Sequence, residues 1–152
     1  MSSFFIDRDL GPRVGRALRE LKVDIVLHSD RFGPREPDLT WIPAVTESGL
    51  VILTRDAHIK SRPAERAVFE GCGARSFFVT GTKISALDSM RALLIAWPRI
   101  LDLVEANPVG PFMHAVTRDG RLVQYIPVDG PAGPVARREA LGKSRLRRRP
   151  RA

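Results

Sequence analysis

The chain has 152 residues, of which 43% are hydrophobic and 28% charged. This composition is typical of one soluble globular domain with a sizeable core. No apolar stretch reaches the roughly 18 residues of a transmembrane helix, so we expect no membrane partner. The first residues lead directly into a strand-like run, which predicts no secretory leader. Cys72 is the only cysteine, which excludes an internal disulfide and favours a reducing, cytoplasmic location.

The formal net charge of +8 is concentrated at the C-terminus. From Arg137 onward there are eight Lys or Arg residues and one Glu, a net charge of +7, so the preceding residues carry +1. We predict one folded domain over residues 1–128 and a disordered, arginine-rich tail over 129–152. Such a tail attracts nucleic acid through counterion release. A solvated terminus without a dedicated partner is the alternative.

Strand and helix patterns alternate along the first half of the chain. Apolar runs predict strands, and apolar residues at helical spacing after Gly-Pro or Pro-Asp predict helices. The predicted elements are a strand over 4–6, a helix from 11–12, a strand over 23–27, a loop over 29–37, a helix over 37–48 and a fully apolar strand over 50–53.

The second half continues the alternation and then changes. A helix is predicted over 62–71, a strand over 76–79 and a long helix over 84–105, which Pro98 should kink or divide. Strands over 112–116 and 122–126 flank Asp119-Gly120, a strong hairpin signal. The whole pattern predicts an α/β fold: a mostly parallel sheet between two helical layers, with a C-terminal hairpin.

Aspartates follow two of the apolar strands. Asp7 comes directly after the 4–6 run, and Asp56 closely follows the 50–53 run. If these strands are neighbours in a parallel sheet, their carboxyl ends lie roughly 5–10 Å apart, because the strand spacing is ~4.8 Å. Asp38, on the first turn of the intervening helix, lies at the same end. The three carboxylates are predicted to share one cleft, although strand ends and helix N-termini also favour aspartate without any site.

A divalent cation would relieve the repulsion within such a cluster. Carboxylates packed together raise one another's pKa values. Hard oxygen ligands suit Mg²⁺ or Mn²⁺, and these ions assist phosphodiester hydrolysis.

Two stretches resemble PIN-like nuclease domains. FFIDRDLGPRVGRALREL (residues 4–21) is similar to their opening, where a first strand ends on an acid and a helix follows. EPDLTWIPAVTESGLVILTRDAHI (residues 36–59) is similar to their middle, where an acid at a helix start precedes an apolar strand that ends in Thr-x-Asp. The resemblance covers about residues 4–79. It is to the compact branch found in VapC-type toxins and related small proteins.

The resemblance implies a metal-dependent ribonuclease that binds Mg²⁺ or Mn²⁺ through Asp7, Asp38 and Asp56. The family often has a further acid two residues after the third, where this chain has His58. Asp9, Glu36 and His58 are therefore secondary candidates for that position, and Asp30 is a weaker one.

Several other side chains are candidates for substrate contact. Four cations lie beside the acids in sequence and are suited to RNA phosphates, although exposed loop cations are common. His28 ends the second strand at the same edge, and Trp41 is expected to pack in the core. The four cations are Arg8, Arg55, Lys60 and Arg62.

The resemblance thus implies an RNA-cutting toxin, with RNA, a cognate antitoxin and a second copy of the chain as its expected partners. A PIN-like module that binds without cutting is the alternative. A phospho-receiver domain is a further one, suggested by Asp7, Asp9, Asp56, Thr80 and Lys83. However, Lys83 follows the fourth strand, whereas a receiver lysine follows the fifth.

Overall fold

The computed structural model describes residues 2–55, 62–81 and 83–126. Strands and helices alternate through most of these ranges. The strands are β1 (Ser3–Ile6), β2 (Asp24–Leu27), β3 (Val51–Thr54), β4 (Arg75–Val79), β5 (Phe112–Val116) and β6 (Leu122–Ile126). The helices are α1 (Pro12–Glu20), α2 (His28–Arg31), α3 (Asp38–Glu47), α4 (Pro63–Cys72) and α5 (Ala86–Ala106).

The strands form one sheet in the order β2-β1-β3-β4-β5-β6. The first five strands are parallel, and β6 pairs antiparallel with β5. The Asp-Gly signal correctly predicted this hairpin. Because β1 lies between β2 and β3, the residues that follow these three strands lie along one edge of the sheet.

Side chains alternate between the two faces of the sheet, as the two-residue period of a strand requires. In β1, Phe4 and Ile6 belong to the core cluster that includes residues of α1 and α5, whereas Phe5 belongs to the cluster that includes residues of α3 and α4. β3 is buried on both faces in the same way. The predicted three-layer α/β/α arrangement is confirmed, and it explains why these strands are apolar throughout.

Two local predictions need correction, the first in full and the second in part. The segment predicted as a loop over 29–37 begins with the one-turn helix α2, where the Asp30 carboxylate accepts a hydrogen bond from the Leu27 N–H at 2.9 Å. Pro98 was expected to kink or divide the long helix, and the division does not occur, since α5 runs unbroken from Ala86 to Ala106. Pro98 and Leu94 both lie on the exposed side of α5, so water can bond the Leu94 carbonyl that proline leaves without an N–H partner.

The predicted tail over 129–152 lies outside the described residues. Within the described ranges, no helix combines the length and apolar character needed to cross a bilayer.

Candidate functional site

Asp7 lies at the carboxyl end of β1 and is 3% exposed. Its backbone N–H donates to the Leu53 carbonyl at 3.0 Å, which continues the pairing of β1 with β3. Its side chain accepts two hydrogen bonds. The Thr54 hydroxyl donates to Oδ2 at 2.9 Å, and the Arg8 N–H donates to Oδ1 at 2.6 Å. The ends of β1 and β3 therefore fix both the position and the orientation of this carboxylate.

The pKa of Asp7 is raised to about 6, chiefly because burial penalises the charged form. The negative charges of Asp9 and Asp38 raise this pKa further, while the hydrogen bonds from Thr54 and Arg8 lower it. Asp9 and Asp38 therefore lie close enough to Asp7 for their charges to act on it. A buried carboxyl with a perturbed pKa beside other acids is typical of a functional site.

Asp38 is the first residue of α3, as predicted, and is half-buried. Its Oδ1 accepts a hydrogen bond from the Trp41 indole N–H at 2.7 Å. Trp41 is fully buried and stacks on Phe5, with ring centroids 5.1 Å apart. The prediction that Trp41 packs in the core is confirmed. That Trp41 orients Asp38 was not predicted from the sequence. The two residues are three positions apart on a helix, and such residues lie side by side, so the contact could have been inferred.

The secondary acids lie in different surroundings. Asp9 is exposed and Glu36 is half-buried, and both carry charges that act on His28. Asp30 instead forms an ion pair with Arg19 at 2.9 Å and bonds the start of α2. These contacts explain the conformation of Asp30 without a metal.

Asp56, His58 and Lys60 lie outside the described residues. Among the residues with described positions, no three His, Cys, Asp or Glu side chains form a group that could hold a metal ion. Asp7 and Asp38 offer carboxylate oxygens of the kind that Mg²⁺ and Mn²⁺ prefer. A carboxylate has about four acceptor positions, and the Thr54 and Arg8 bonds use two of those on Asp7. These two side chains fit part of a divalent site, and the predicted third ligand is Asp56.

The three described cations that were predicted to contact RNA differ in their surroundings. The Arg8 guanidinium donates to the backbone carbonyls of Pro34 and Glu36. Arg62 forms an ion pair with Glu65 at 3.1 Å. Arg55 is half-buried at the end of β3. Arg8 therefore has an evident structural role, because it ties the end of β1 to the loop before α3.

A pocket of about 210 Å³ opens beside Asp7 and Arg8. His28 lines it, is 4% exposed, and follows β2 directly. Burial and the positive charge of Arg8 lower the pKa of His28, which favours its neutral imidazole. The apolar lining consists of Ile6, Pro12, Leu27, Phe32 and Pro34.

Comparison with known proteins identifies one family. The family model described as "PIN like domain" matches residues 2–81, which is more than half of the chain and contains Asp7, Asp38 and Asp56. No curated protein and no solved structure gave a significant match.

Proposed function

The chain belongs to the PIN-like domain family, and from this premise we propose that it is a metal-dependent ribonuclease. Asp7, Asp38 and Asp56 would hold Mg²⁺ or Mn²⁺, and the substrate would be an RNA phosphodiester. PIN-like domains have a nuclease-type fold, and the architecture of this chain is consistent with it.

The observation that carries the proposal is the buried carboxyl of Asp7. Its pKa is raised by burial and by the charges of Asp9 and Asp38. A fold selected only for stability would avoid this arrangement, because the buried charge and the repulsion both cost free energy. A cation at this place would offset both costs.

Some residues of the chain would orient the carboxylates that bind the cation. Thr54 and the Arg8 N–H hold the Asp7 carboxylate in one orientation, and Trp41 does the same for Asp38. When bound, a divalent cation supplies positive charge that polarises a phosphate oxygen and lowers the pKa of water. Such orienting partners are commonly worth 10- to 100-fold in metal affinity or activity.

Cleavage of a mixed RNA pool in Mn²⁺ or Mg²⁺ tests the proposal. We expect the wild type to cut, and Asp7→Asn, Asp38→Asn and Asp56→Asn each to lower the rate by at least about 100-fold, more than the loss of an orienting residue usually costs. Asp102→Asn is the matched control, because Asp102 is exposed on α5. Equal rates for all four variants would show that these acids do not carry the reaction.

The alternative is a PIN-like module that binds RNA or protein without cutting it. The main support for this alternative is His58, which stands where the family often has an acid. Calorimetric titration of Mn²⁺ into the wild type and Asp56→Asn separates the two functions. Equally weak metal binding by both proteins, together with no cleavage of the RNA pool, would favour the binding module. A phospho-receiver is disfavoured by the family match and by β6, which follows β5 as an antiparallel strand where a receiver has a helix.

Within the ribonuclease proposal, the chain would be the toxin of a toxin–antitoxin pair. Such a protein needs a protein-binding surface, and α5 exposes leucines at seven-residue intervals, the spacing of a helix–helix contact. The antitoxin or a second copy of the chain would cover them. The leucines are Leu87, Leu94 and Leu101, which are 79%, 46% and 37% exposed.

The toxin role is tested by expressing the chain with and without the product of the neighbouring reading frame. We expect growth arrest by the chain alone and rescue by the neighbour. If Asp7→Asn no longer arrests growth, the toxicity depends on the acidic site. If Asp7→Asn still arrests growth, the toxicity has another cause.

A further inference from the structure

His28 is a buried polar residue with an unsatisfied nitrogen. The residue is 4% exposed, and within the described part of the chain its Nε2 has no hydrogen-bond partner. Its ring is surrounded by the aromatic rings of Phe5, Phe32 and Trp41, at centroid distances of 5.9, 5.5 and 6.1 Å. Buried polar groups in native proteins are nearly always paired. His28 lines the pocket, so a small rotation of its ring would present the enclosed Nε2 to a ligand there, which would supply the missing partner.

The pocket that His28 lines favours a flat, uncharged ligand. Five of its lining residues are apolar, and Phe32 offers an aromatic ring. Its volume of about 210 Å³ is below the roughly 300–1,000 Å³ of pockets for drug-sized ligands. One heterocyclic ring system suits this volume, and the rest of a larger molecule would extend out of the pocket.

The charges around the pocket disfavour an anion. Asp7 and Arg8 line the pocket, and the Arg8 guanidinium is already engaged by the carbonyls of Pro34 and Glu36. A phosphate group inside the pocket would therefore lie beside Asp7, and the Arg8 guanidinium would not be free to bind it. Of the parts of an RNA chain, the base fits this pocket better than the phosphate does.

We infer that this pocket binds one nucleobase of the RNA substrate beside the phosphodiester that is cut, and that His28 hydrogen-bonds the edge of that base. The inference rests on the proposed ribonuclease function. Asp7 lines the pocket and also belongs to the acidic site, so a base held there places its own phosphate next to the carboxylates. His28 and Phe32 would then determine which base is accepted, whereas the acids would act on any RNA.

Binding of single nucleosides tests the pocket without any cleavage. Adenosine, guanosine, cytidine and uridine are titrated separately into the metal-free protein, with ribose as the control for the sugar. The chain has three histidines, so substitution of each one assigns the imidazole proton signals in the NMR spectrum. We expect at least one nucleoside to shift the His28 signals saturably, and ribose to leave them unchanged.

The variant His28→Phe keeps a flat ring among the aromatic neighbours and removes the hydrogen bond. We expect it to weaken nucleoside binding about tenfold, as the loss of one buried hydrogen bond predicts. Phe32→Leu, which keeps an apolar wall and removes the aromatic ring, should also weaken binding. It provides a second test if His28→Phe does not fold. Asp102→Asn is the control, because Asp102 is exposed on α5 and does not line the pocket.

Sequencing the ends of cleaved RNA gives the second readout. The wild type should cut with one base in excess at a fixed position relative to the cut, and His28→Phe should reduce that excess while RNA is still cut. The inference is overturned if no nucleoside shifts the His28 signals, if ribose shifts them equally, or if cutting shows no base preference. Absence of cleavage by the wild type would contradict the ribonuclease function, whereas the nucleoside titration would still report on the pocket.

Discussion

The Asp7 carboxyl is more stable in the fold as a neutral acid than as an anion. In the unfolded chain it ionises near its ordinary pKa of 3.8, whereas in the fold its pKa is about 6. Between these two values the unfolded state has lost a proton that the folded state keeps. The free energy of unfolding therefore falls as the pH rises from about 4 to about 6. Above pH 6 the Asp7 carboxyl is ionised in the folded metal-free protein, and the free energy of unfolding is lowered by the full cost of burying that charge.

We predict that Asp7→Asn stabilises the metal-free protein at neutral pH. The pKa difference corresponds to about 3 kcal/mol at 1.36 kcal/mol per unit. The gain should be absent below pH 4, increase up to pH 6 and then stay constant. Urea unfolding in the presence of a chelator, at several pH values, measures it.

Asp102→Asn is the control for this pH series, because Asp102 is exposed and its substitution should shift the stability little at any pH. A stability gain for Asp7→Asn that does not depend on pH would show that the carboxyl is not the cause. A variant that is more stable but does not cut RNA would indicate that Asp7 is kept for function at the expense of stability.

At the level of elements, the apolar runs and the Asp-Gly turn were sufficient to predict all six strands. The rule that parallel strands end at one edge of the sheet predicted that Asp7 and Asp56 converge, but Asp56 lies outside the described residues. Asp38 was placed at the same end because its helix precedes β3, and its charge does act on Asp7. Local pattern could not predict α2, because four residues are too few to show a helical period. It also could not predict the pocket at His28, because residues distant in sequence line it and Arg8 bonds carbonyls 26 and 28 residues away.

The amino-terminal edge of the sheet contains a close backbone contact. A Cβ at Gly110 would lie 2.2 Å from the Gly73 carbonyl oxygen and 2.9 Å from that of Ala74. We predict that Gly110→Ala destabilises the fold by about 1–3 kcal/mol, because the backbone must shift to accept the methyl group. Urea denaturation measures this, and RNA cleavage well below the unfolding midpoint should be unchanged, since this edge is opposite Asp7.

Gly71→Ala is a suitable control for that variant. Gly71 lies in α4, and a Cβ there would have no atom within 4 Å. Because alanine favours the helix, this substitution should leave the stability unchanged or raise it by up to about 1 kcal/mol. Equal stability of the two variants would mean that the loop before β5 relaxes without cost.

At the level of the whole molecule, the charge is separated from the acidic site in sequence. Residues 1–136 carry a net charge of +1, and the remaining segment carries +7. A nearly neutral domain attracts RNA weakly over a distance, so the basic segment would supply most of the long-range attraction. It would raise the encounter rate without reading the base sequence.

Truncation after Ala136 tests whether the basic segment contributes to RNA attraction and not to the cleavage chemistry. We predict weaker RNA binding at about 50 mM salt and little difference at high salt. The slope of log K against log salt should become shallower by about 0.7 for each RNA phosphate that the truncated chain no longer neutralises. Fluorescence anisotropy over a salt series measures both effects. The cleavage rate at saturating RNA should stay the same, and a failure to cleave there would mean that the segment takes part in the chemistry.

The contact of Arg8 with the Pro34 and Glu36 carbonyls has a kinetic consequence. It orders one wall of the pocket before any ligand arrives, so the entropy of that loop is lost during folding and not again during binding. Association would then need no slow closing step, and the on-rate would be set by collision and orientation. A variant without the guanidinium would have to assemble the wall at each encounter. Its defect would therefore be expected in the speed of association as well as in the lifetime of the complex.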